Sequence, residues 1–504
     1  MGTVQAKGAE REGDNLKVTP ISQAHLVLEI DTPPGLSYIG KDSGFPKSNI
    51  LNYNWVYTEM PKIEQETKIK PYNQHREEGN SFTLRYFIWT IGCQMNKAES
   101  QQIAGYLDSV GHQAATSFSN ADLVILNTCM VRQSAENKVL GTLGLLKGLK
   151  NKHPNLQILV TGCLVDSDTQ ELKRRFPHVD LLFKPGDYHE LIAWSERQGV
   201  FIEQEARLST ISSPCAFIPI IQGCDNSCSY CIVPYRRGRE VSRPLKEIVC
   251  EVEELVRRGI KEVTLLGQNV DSYGHDLPGH PDLADLLNEL NSIDDLVRIR
   301  FLTNHPKDIS LKLIDTVASL NKVCEHLELP VQDGDDDILR AMRRGYTVER
   351  YRELVHTIRR KVPQISLSTD IIVGFPGETD EQFEHSLSLV KEMRFDVIHV
   401  AAYSPRPDTI AWREYQDNIP PEVKKERLHK IEELQAAIAS EINSQLQGRH
   451  EEVLVEGQKQ GKWFGRARSN KLVFFEDAGD WLGQLARIQI EKTSPWSLRG
   501  GVKK

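Results

Sequence analysis

This sequence predicts an α/β protein in three folded parts: an N-terminal parallel α/β layer, a partial (β/α)6 barrel and a small C-terminal β-barrel. Three observations support this. From Leu84 to about residue 445, apolar runs of strand length alternate with amphipathic helical stretches, which is the pattern of parallel strands covered by helices. Cysteine, glycine and polar residues follow those strands at their carboxyl ends, the edge where such sheets bind ligands. The remaining stretch changes to short strands separated by glycine turns.

A chain of 504 residues with 39% hydrophobic content holds about three domains. We divide it at residues 1–80, 81–205, 210–445 and 446–504. The first stretch has scattered Pro, Gly, Asn and charge and reads as an irregular extension. In the second, Tyr86-Phe87-Ile88-Trp89-Thr90-Ile91 precedes an amphipathic stretch through Leu107, Leu123-Val124-Ile125-Leu126 precedes another through Leu149, and Ile158-Leu159-Val160 precedes Glu171 to Phe176. The third contains six strand candidates: Phe217 to Ile221, Glu262 to Leu266, Val297 to Leu302, His326 to Leu329, Ile365 to Val373 and Val397 to Ala401. Six such units suggest a partial barrel with its site at the carboxyl ends. After a charged helix from Glu422 to Leu446, the fourth part shows strands around Glu452 to Gly457, Trp463 to Arg468, Lys471 to Phe475 and Leu485 to Ile490, a small barrel.

Nine cysteines in a chain this long do not suggest a disulfide-stapled secreted protein. No apolar run reaches the roughly 18 residues needed to cross a membrane, so we expect a cytoplasmic protein without a membrane partner. The net charge of −8 argues against a uniformly basic surface, but Leu446 to Lys504 carries 11 Lys plus Arg against 7 Asp plus Glu. If RNA is bound, that end is the expected handle. There Arg466, Arg468 and Lys471 interleave with Trp463, Phe464 and Phe474, a mix suited to phosphate contact and base stacking and also ordinary for a half-buried strand.

Cys224, Cys228 and Cys231 have the spacing C-x3-C-x2-C, three thiolates without a fourth ligand. A closed zinc site wants four protein ligands, whereas a [4Fe-4S] cluster held by three cysteines keeps one iron open. A zinc knuckle remains the alternative. Cys93, Cys129 and Cys163 each follow one of the first three strands, in the contexts Gly92-Cys93, Thr128-Cys129 and Gly162-Cys163. They converge if the strands are neighbours, and the two glycines allow close backbone approach to a bulky group. Three unrelated buried thiols are the alternative here.

The run Cys224 to Cys231, with Tyr230 in the aromatic place, resembles the radical S-adenosylmethionine enzymes. From about Thr83 onward the chain is similar to the methylthiotransferases, on the motifs Gly92-Cys93-Gln94-Met95-Asn96, Asn127-Thr128-Cys129, Thr161-Gly162-Cys163, Tyr235-Arg236-Arg237-Gly238-Arg239-Glu240, Gly267-Gln268-Asn269-Val270, Arg344-Gly345-Tyr346-Thr347 and Thr369 to Thr379. The resemblance implies a cluster domain, a radical S-adenosylmethionine domain and a C-terminal RNA-binding TRAM domain. It also implies two [4Fe-4S] clusters, one on each cysteine triad, and S-adenosylmethionine contacted by the Tyr230 backbone, Gly267, Gln268, Asn269 and Gln332.

Within the family, the tRNA branch is the nearest. That branch adds a methylthio group to C2 of N6-isopentenyladenosine beside the anticodon, at position 37, consuming two S-adenosylmethionine molecules. An electron donor such as flavodoxin or ferredoxin is then required. Two other readings are methylthiolation of a ribosomal-protein aspartate, as in the sister branch, and a non-catalytic RNA-binding iron–sulfur protein. The sequence departs from the family pattern at Asp333 and Asp335, at Asn304, and at Asp408, where a glycine is common.

Overall fold

The computed structural model describes residues 83–130, 133–165, 169–198 and 213–503. The expected irregular extension, residues 1–80, lies outside them.

The N-terminal layer is a parallel sheet of β1 (Arg85–Thr90), β2 (Gln113–Ala114), β3 (Leu123–Thr128), β4 (Gln157–Gly162) and β5 (Leu181–Leu182), in the order β2-β1-β3-β4-β5. Every residue of β3 is buried, as a central parallel strand covered on both faces requires. Helix α1 (Gln94–Ser109) begins directly after Cys93. Its Ile103 and Leu107 pack under this sheet, whereas Met95 and Ala98 pack on Leu266 of the next domain, so one helix belongs to two cores.

The partial barrel opens with β6 (Cys215–Pro219) and the short antiparallel pair β7 (Ile221–Gln222) and β8 (Val241–Ser242). It continues through β9 (Glu262–Leu266), β10 (Arg298–Phe301), β11 (His326–Glu328), β12 (Ser366–Val373) and β13 (Val397–Ala402). Strands β6, β9 and β10 form one parallel group and β11, β12 and β13 another. A parallel bridge between Ile299 and Val323 joins them, so six strands follow one another in chain order. Helices enter from well-formed caps: Asp282 and Thr379 each complete a capping box.

Strand alternation divides the barrel chemically. Val263, Leu265, Ile299, Leu327, Leu367, Ile371 and Ile398 join the core under the helices. Their neighbours Glu262, Arg298, Arg300, His326, Glu328, Asp370 and His399 therefore point the other way, into the barrel.

The last domain follows the helix Pro421–Ser444. It is a closed barrel of β14 (His450–Lys459), β15 (Lys462–Ala467), β16 (Leu472–Phe475), β17 (Leu485–Thr493) and β18 (Leu498–Val502), filled by Val453, Val455, Val473, Phe475, Ile488 and Ile490. Two arginines of β10 hold it in place. Arg298, fully buried, donates to the carbonyls of Arg466 (2.7 Å) and Glu452 (2.9 Å). Arg300 donates to those of Arg468 and Ala467, both at 2.8 Å, while Glu262 accepts from its Nε at 2.9 Å.

Candidate active site

Cys93, Cys129 and Cys163 lie just past the carboxyl ends of β1, β3 and β4, which are adjacent in the sheet. The approach is tight. At Gly92 (φ 131°) a Cβ would stand 2.9 Å from Cβ of Cys129, and at Gly162 (φ 89°) one would stand 2.3 Å from the Thr128 carbonyl oxygen. A side chain at either position would push the strand ends apart, which is why glycine is required there. Asn96 ties the edge together by donating from Nδ2 to the Ile91 and Thr128 carbonyls at 2.9 and 2.8 Å.

Two buried arginines, each paired with a glutamate, stand near this triad. Cys93 sits at the N-terminus of α1, where the helix dipole favours a thiolate. Arg237, from the barrel domain, bonds Glu99 at 2.6 Å and Asn96 Oδ1 at 3.2 Å. Burial works against its charge, but Glu99, Cys163 and Cys93 hold the guanidinium protonated. Burial also raises the Cys93 thiol, and Arg237 opposes that rise. Arg406 bonds Glu136 at 3.1 Å and lies within electrostatic reach of Cys129.

Cys224, Cys228 and Cys231 occupy the loop after β7. Cys231 N–H donates to the Cys228 carbonyl at 3.1 Å, and Arg344 Nη1 donates to Cys228 Sγ at 3.3 Å. Burial pushes the Cys224 thiol up to about 11 and the Cys231 thiol up to about 12, with Cys228 adding to both. Thiols so shifted stay neutral near pH 7 unless a metal displaces the proton. A [4Fe-4S] cluster takes three cysteine thiolates and leaves one iron open, and an arginine stands beside each triad.

The short helix Val233–Arg237 starts two residues after Cys231 and ends on Arg237, beside Cys93 and Cys163. One turn and a half of helix thus connects the triads.

Two of the expected S-adenosylmethionine residues support the loop of the second triad. Gln268 Oε1 accepts from Gly223 N–H at 2.7 Å, and Asn269 Nδ2 donates to Asp308 at 2.8 Å and to Ser272 Oγ at 2.6 Å. Asp308 also receives Asn226 of the cysteine loop at 3.2 Å. The Tyr230 ring packs beside Phe375 and Tyr403. Gly267 follows β9, and Gln332, four residues past β11, sits at φ 75°.

The three cations expected to meet RNA, Arg466, Arg468 and Lys471, are all ion-paired. Arg468 binds Glu325 at 2.7 Å and the carbonyls of Asn321 and Val323, Lys471 binds Asp396 at 2.5 Å, and Arg466 lies 3.5 Å from Glu456. Arg468 and Lys471 thus pair across the seam with the partial barrel, whereas Arg466 pairs within the small barrel. Exposed basic side chains of this domain include Arg449 and Lys459 at the two ends of β14, and Arg487, Lys492, Arg499 and Lys503 on β17, β18 and just beyond. Strand alternation alone was the signal for Arg487, between buried Ala486 and Ile488.

Comparison with known proteins agrees with this geometry. Residues 85–184 match the uncharacterised protein family UPF0004, 218–390 the radical SAM superfamily and 444–503 the TRAM domain. A Dehalococcoides mccartyi protein named tRNA-2-methylthio-N(6)-dimethylallyladenosine synthase is 54% identical over 420 residues, 83% of this chain and 98% of that one. A Chloroflexus aurantiacus protein of the same name is 46% identical over 423 residues, 82% and 91% of the two chains. These matches carry with them [4Fe-4S] clusters and S-adenosylmethionine as cofactors. The chain belongs to the methylthiotransferase family of radical S-adenosylmethionine enzymes.

Proposed function

We propose that this enzyme methylthiolates C2 of N6-isopentenyladenosine at position 37 of tRNA, using two S-adenosylmethionine molecules per product and electrons from a donor such as flavodoxin or ferredoxin. A tRNA substrate supports a cytoplasmic location. The observation that carries the reading is the pairing of two cysteine triads through the helix Val233–Arg237. The aryl C–H at C2 is beyond acid–base chemistry, and the bound cofactors supply single-electron cleavage of S-adenosylmethionine and a sulfur to insert.

The protein's residues position and shield that chemistry. Cys224, Cys228 and Cys231 would hold the cluster that meets S-adenosylmethionine, with the Arg344 hydrogen bond to Cys228 adjusting the electron density of its sulfur. Cys93, Cys129 and Cys163 would hold the second cluster, and Arg237 and Arg406 offset its negative charge. Asp308 fixes the cysteine loop to Asn269, so the cofactor wall and the cluster loop move as one unit. Exposed Arg487, Lys492, Arg499 and Lys503 give the TRAM domain its tRNA contact.

The test is mass spectrometry of tRNA nucleosides after expression in a host that lacks this modification. Appearance of 2-methylthio-N6-isopentenyladenosine is expected. Unchanged tRNA together with a methylthiolated ribosomal-protein aspartate would overturn the assignment.

A further inference from the structure

Strand β10 ends at Phe301, and the run Asn304-His305-Pro306 follows it at the carboxyl edge of the barrel. The His305 backbone N–H donates to Asp271 Oδ2 at 2.7 Å, and Asn304 Nδ2 donates to the other oxygen of the same carboxyl, also at 2.7 Å. His305 is thereby anchored in a dry place, 7% exposed.

The contacts of the ring fix its tautomer. Nδ1 accepts from Lys307 N–H at 3.2 Å, and Oδ2 of Asp308, 3.8 Å from Nδ1, is too far for a hydrogen bond. A proton on Nδ1 would be aimed at a backbone donor, so the ring is neutral and carries its proton on Nε2. Burial and the charge of Arg344 favour the same neutral form and push the imidazole down to about 3. Nε2–H is therefore a donor, buried and without a hydrogen-bond partner among the described residues. Burying such a group is costly unless a bound molecule accepts from it.

An acceptor in the same condition borders the same carboxylate. Asn269 Nδ2 donates to Asp308 Oδ2 at 2.8 Å and to Ser272 Oγ at 2.6 Å, which makes Oδ1 the acceptor of that amide. Asn269 is 1% exposed, and its Oδ1 also lacks a hydrogen-bond partner among the described residues. Oδ2 of Asp308 thus stands against both side chains, and it receives Asn226 of the cysteine loop at 3.2 Å. A second route leads to the same loop. The His305 ring meets Tyr346 edge to face at 6.0 Å, Arg344 Nε donates to the Tyr346 hydroxyl at 3.0 Å, and Arg344 Nη1 donates to Cys228 Sγ at 3.3 Å.

A buried donor and a buried acceptor beside the cysteine loop complement an α-amino acid, whose carboxylate takes the first and whose ammonium satisfies the second. S-adenosylmethionine, the cofactor of this family, carries that pair in its methionine moiety. We propose that His305 is a cofactor-binding residue that donates its Nε2–H to the methionine carboxylate of S-adenosylmethionine, next to Asn269, whose Oδ1 accepts from the ammonium. The inference rests on the reading that Cys224, Cys228 and Cys231 hold the cluster that meets this cofactor, and it does not depend on the tRNA substrate.

The test uses the anaerobically reconstituted holoenzyme without RNA. It reads the affinity for S-adenosylmethionine from the change in the EPR spectrum of the reduced cluster as cofactor is added, with iron content measured first in each variant. His305→Phe keeps a ring but has no donor, and should bind S-adenosylmethionine about tenfold to a hundredfold more weakly than the parent, the loss of one hydrogen bond to a charged group. His305→Gln, whose amide donates from near the place of Nε2, should recover most of that loss. Decarboxylated S-adenosylmethionine, which lacks the accepting group, should bind His305→Phe as well as it binds the parent, or better. Equal affinity of the parent and iron-loaded His305→Phe for S-adenosylmethionine would overturn the assignment. An equal loss for both cofactor forms would do the same, since it marks a structural role. If His305→Phe does not load iron, the anaerobic crystal structure of the parent with S-adenosylmethionine decides: a carboxylate oxygen within about 3.2 Å of Nε2 is expected, and a water or a protein group in that place overturns the assignment. No spectral change in the parent on adding S-adenosylmethionine would instead overturn the reading of the cysteine loop, and this inference with it.

Discussion

Removing Arg237 should loosen the N-terminal layer from the partial barrel. Its side chain is 2% exposed and that of Glu99 5%, and the pair joins α1 to the helix that follows Cys231. Arg237→Met leaves Glu99 ionised in a dry interface and Asn96 Oδ1 without the donor that stood 3.2 Å away. Breaking one side of a buried pair costs roughly 3–5 kcal/mol, which is about a hundredfold to a few thousandfold in the docking equilibrium. The contrasting variant is the double substitution Arg237→Met with Glu99→Leu. It removes both charges and both desolvation costs, so it should recover to within about 1 kcal/mol of the parent. The assay is hydrogen exchange of the first turns of α1 in the anaerobic, cluster-loaded protein, with urea unfolding alongside. If the double variant loses the sum of the two single losses, the pair is not coupled and the reasoning is wrong.

Full reconstitution should give about eight irons per chain, and Cys224, Cys228 and Cys231 replaced by Ala should leave about four with no 5′-deoxyadenosine formed. Replacing Cys93, Cys129 and Cys163 should instead stop sulfur insertion while some cleavage remains; equal loss of cleavage in both folded variants contradicts the division of roles. Changing Arg487, Arg499 and Lys503 together to Gln should weaken tRNA binding and flatten its salt dependence, by roughly 0.7 to 0.9 in slope for each lost phosphate contact; unchanged binding at every salt concentration rules this face out. Burial lowers buried His326 to about 3 in the folded protein, with Arg300 and other cations adding to the shift. The unfolded chain therefore takes up that proton first, and stability is lost as pH falls from about 6.5 toward 3, by about 1.4 kcal/mol per unit. The unfolding free energy from urea titrations should fall between pH 6.5 and 5 by about 1.6 kcal/mol less in His326→Gln than in the parent; identical slopes would show that His326 titrates normally.

The cysteine triads were legible because their signal is local. A strand is fixed by a short apolar run, parallel connectivity puts successive carboxyl ends on one edge, and a cysteine after each strand must then fall there. The six barrel strands were legible for the same reason. The ion partners of the TRAM cations were not. In Arg466-Ala467-Arg468 the alternation shows that both arginines share a face, yet nothing in those residues says whether that face meets water or another domain. The answer lay some 170 residues away in sequence, in Arg298 and Arg300, which reach across to the carbonyls of the same strand.

The departures from the family pattern show how far local chemistry can be read once the backbone is known. Asp408, where a glycine is common, has φ 74°, and aspartate is among the few residues that tolerate this region, so the substitution keeps the turn. Asp335 caps the helix Asp336–Ala341 by accepting from Asp337 and Ile338 N–H, a task a serine also performs. Asn304 donates to buried Asp271 at 2.7 Å, whose carboxyl burial pushes up to about 7. Asp333 is different: it is fully buried, accepts from Asp335 N–H at 2.9 Å and Ser386 Oγ at 3.3 Å, and burial together with Glu378 raises its carboxyl well above the usual range. A neutral acid there does what a hydroxyl would, donating and accepting, which is how an aspartate occupies a serine position without an unpaired charge. The same rule applies to Glu328, whose carboxyl burial pushes up to about 8. An acid inside a parallel strand, as in Leu327-Glu328-Leu329 and Thr369-Asp370-Ile371, breaks the apolar run that such strands otherwise need, and that break was the sequence signal for a polar barrel interior.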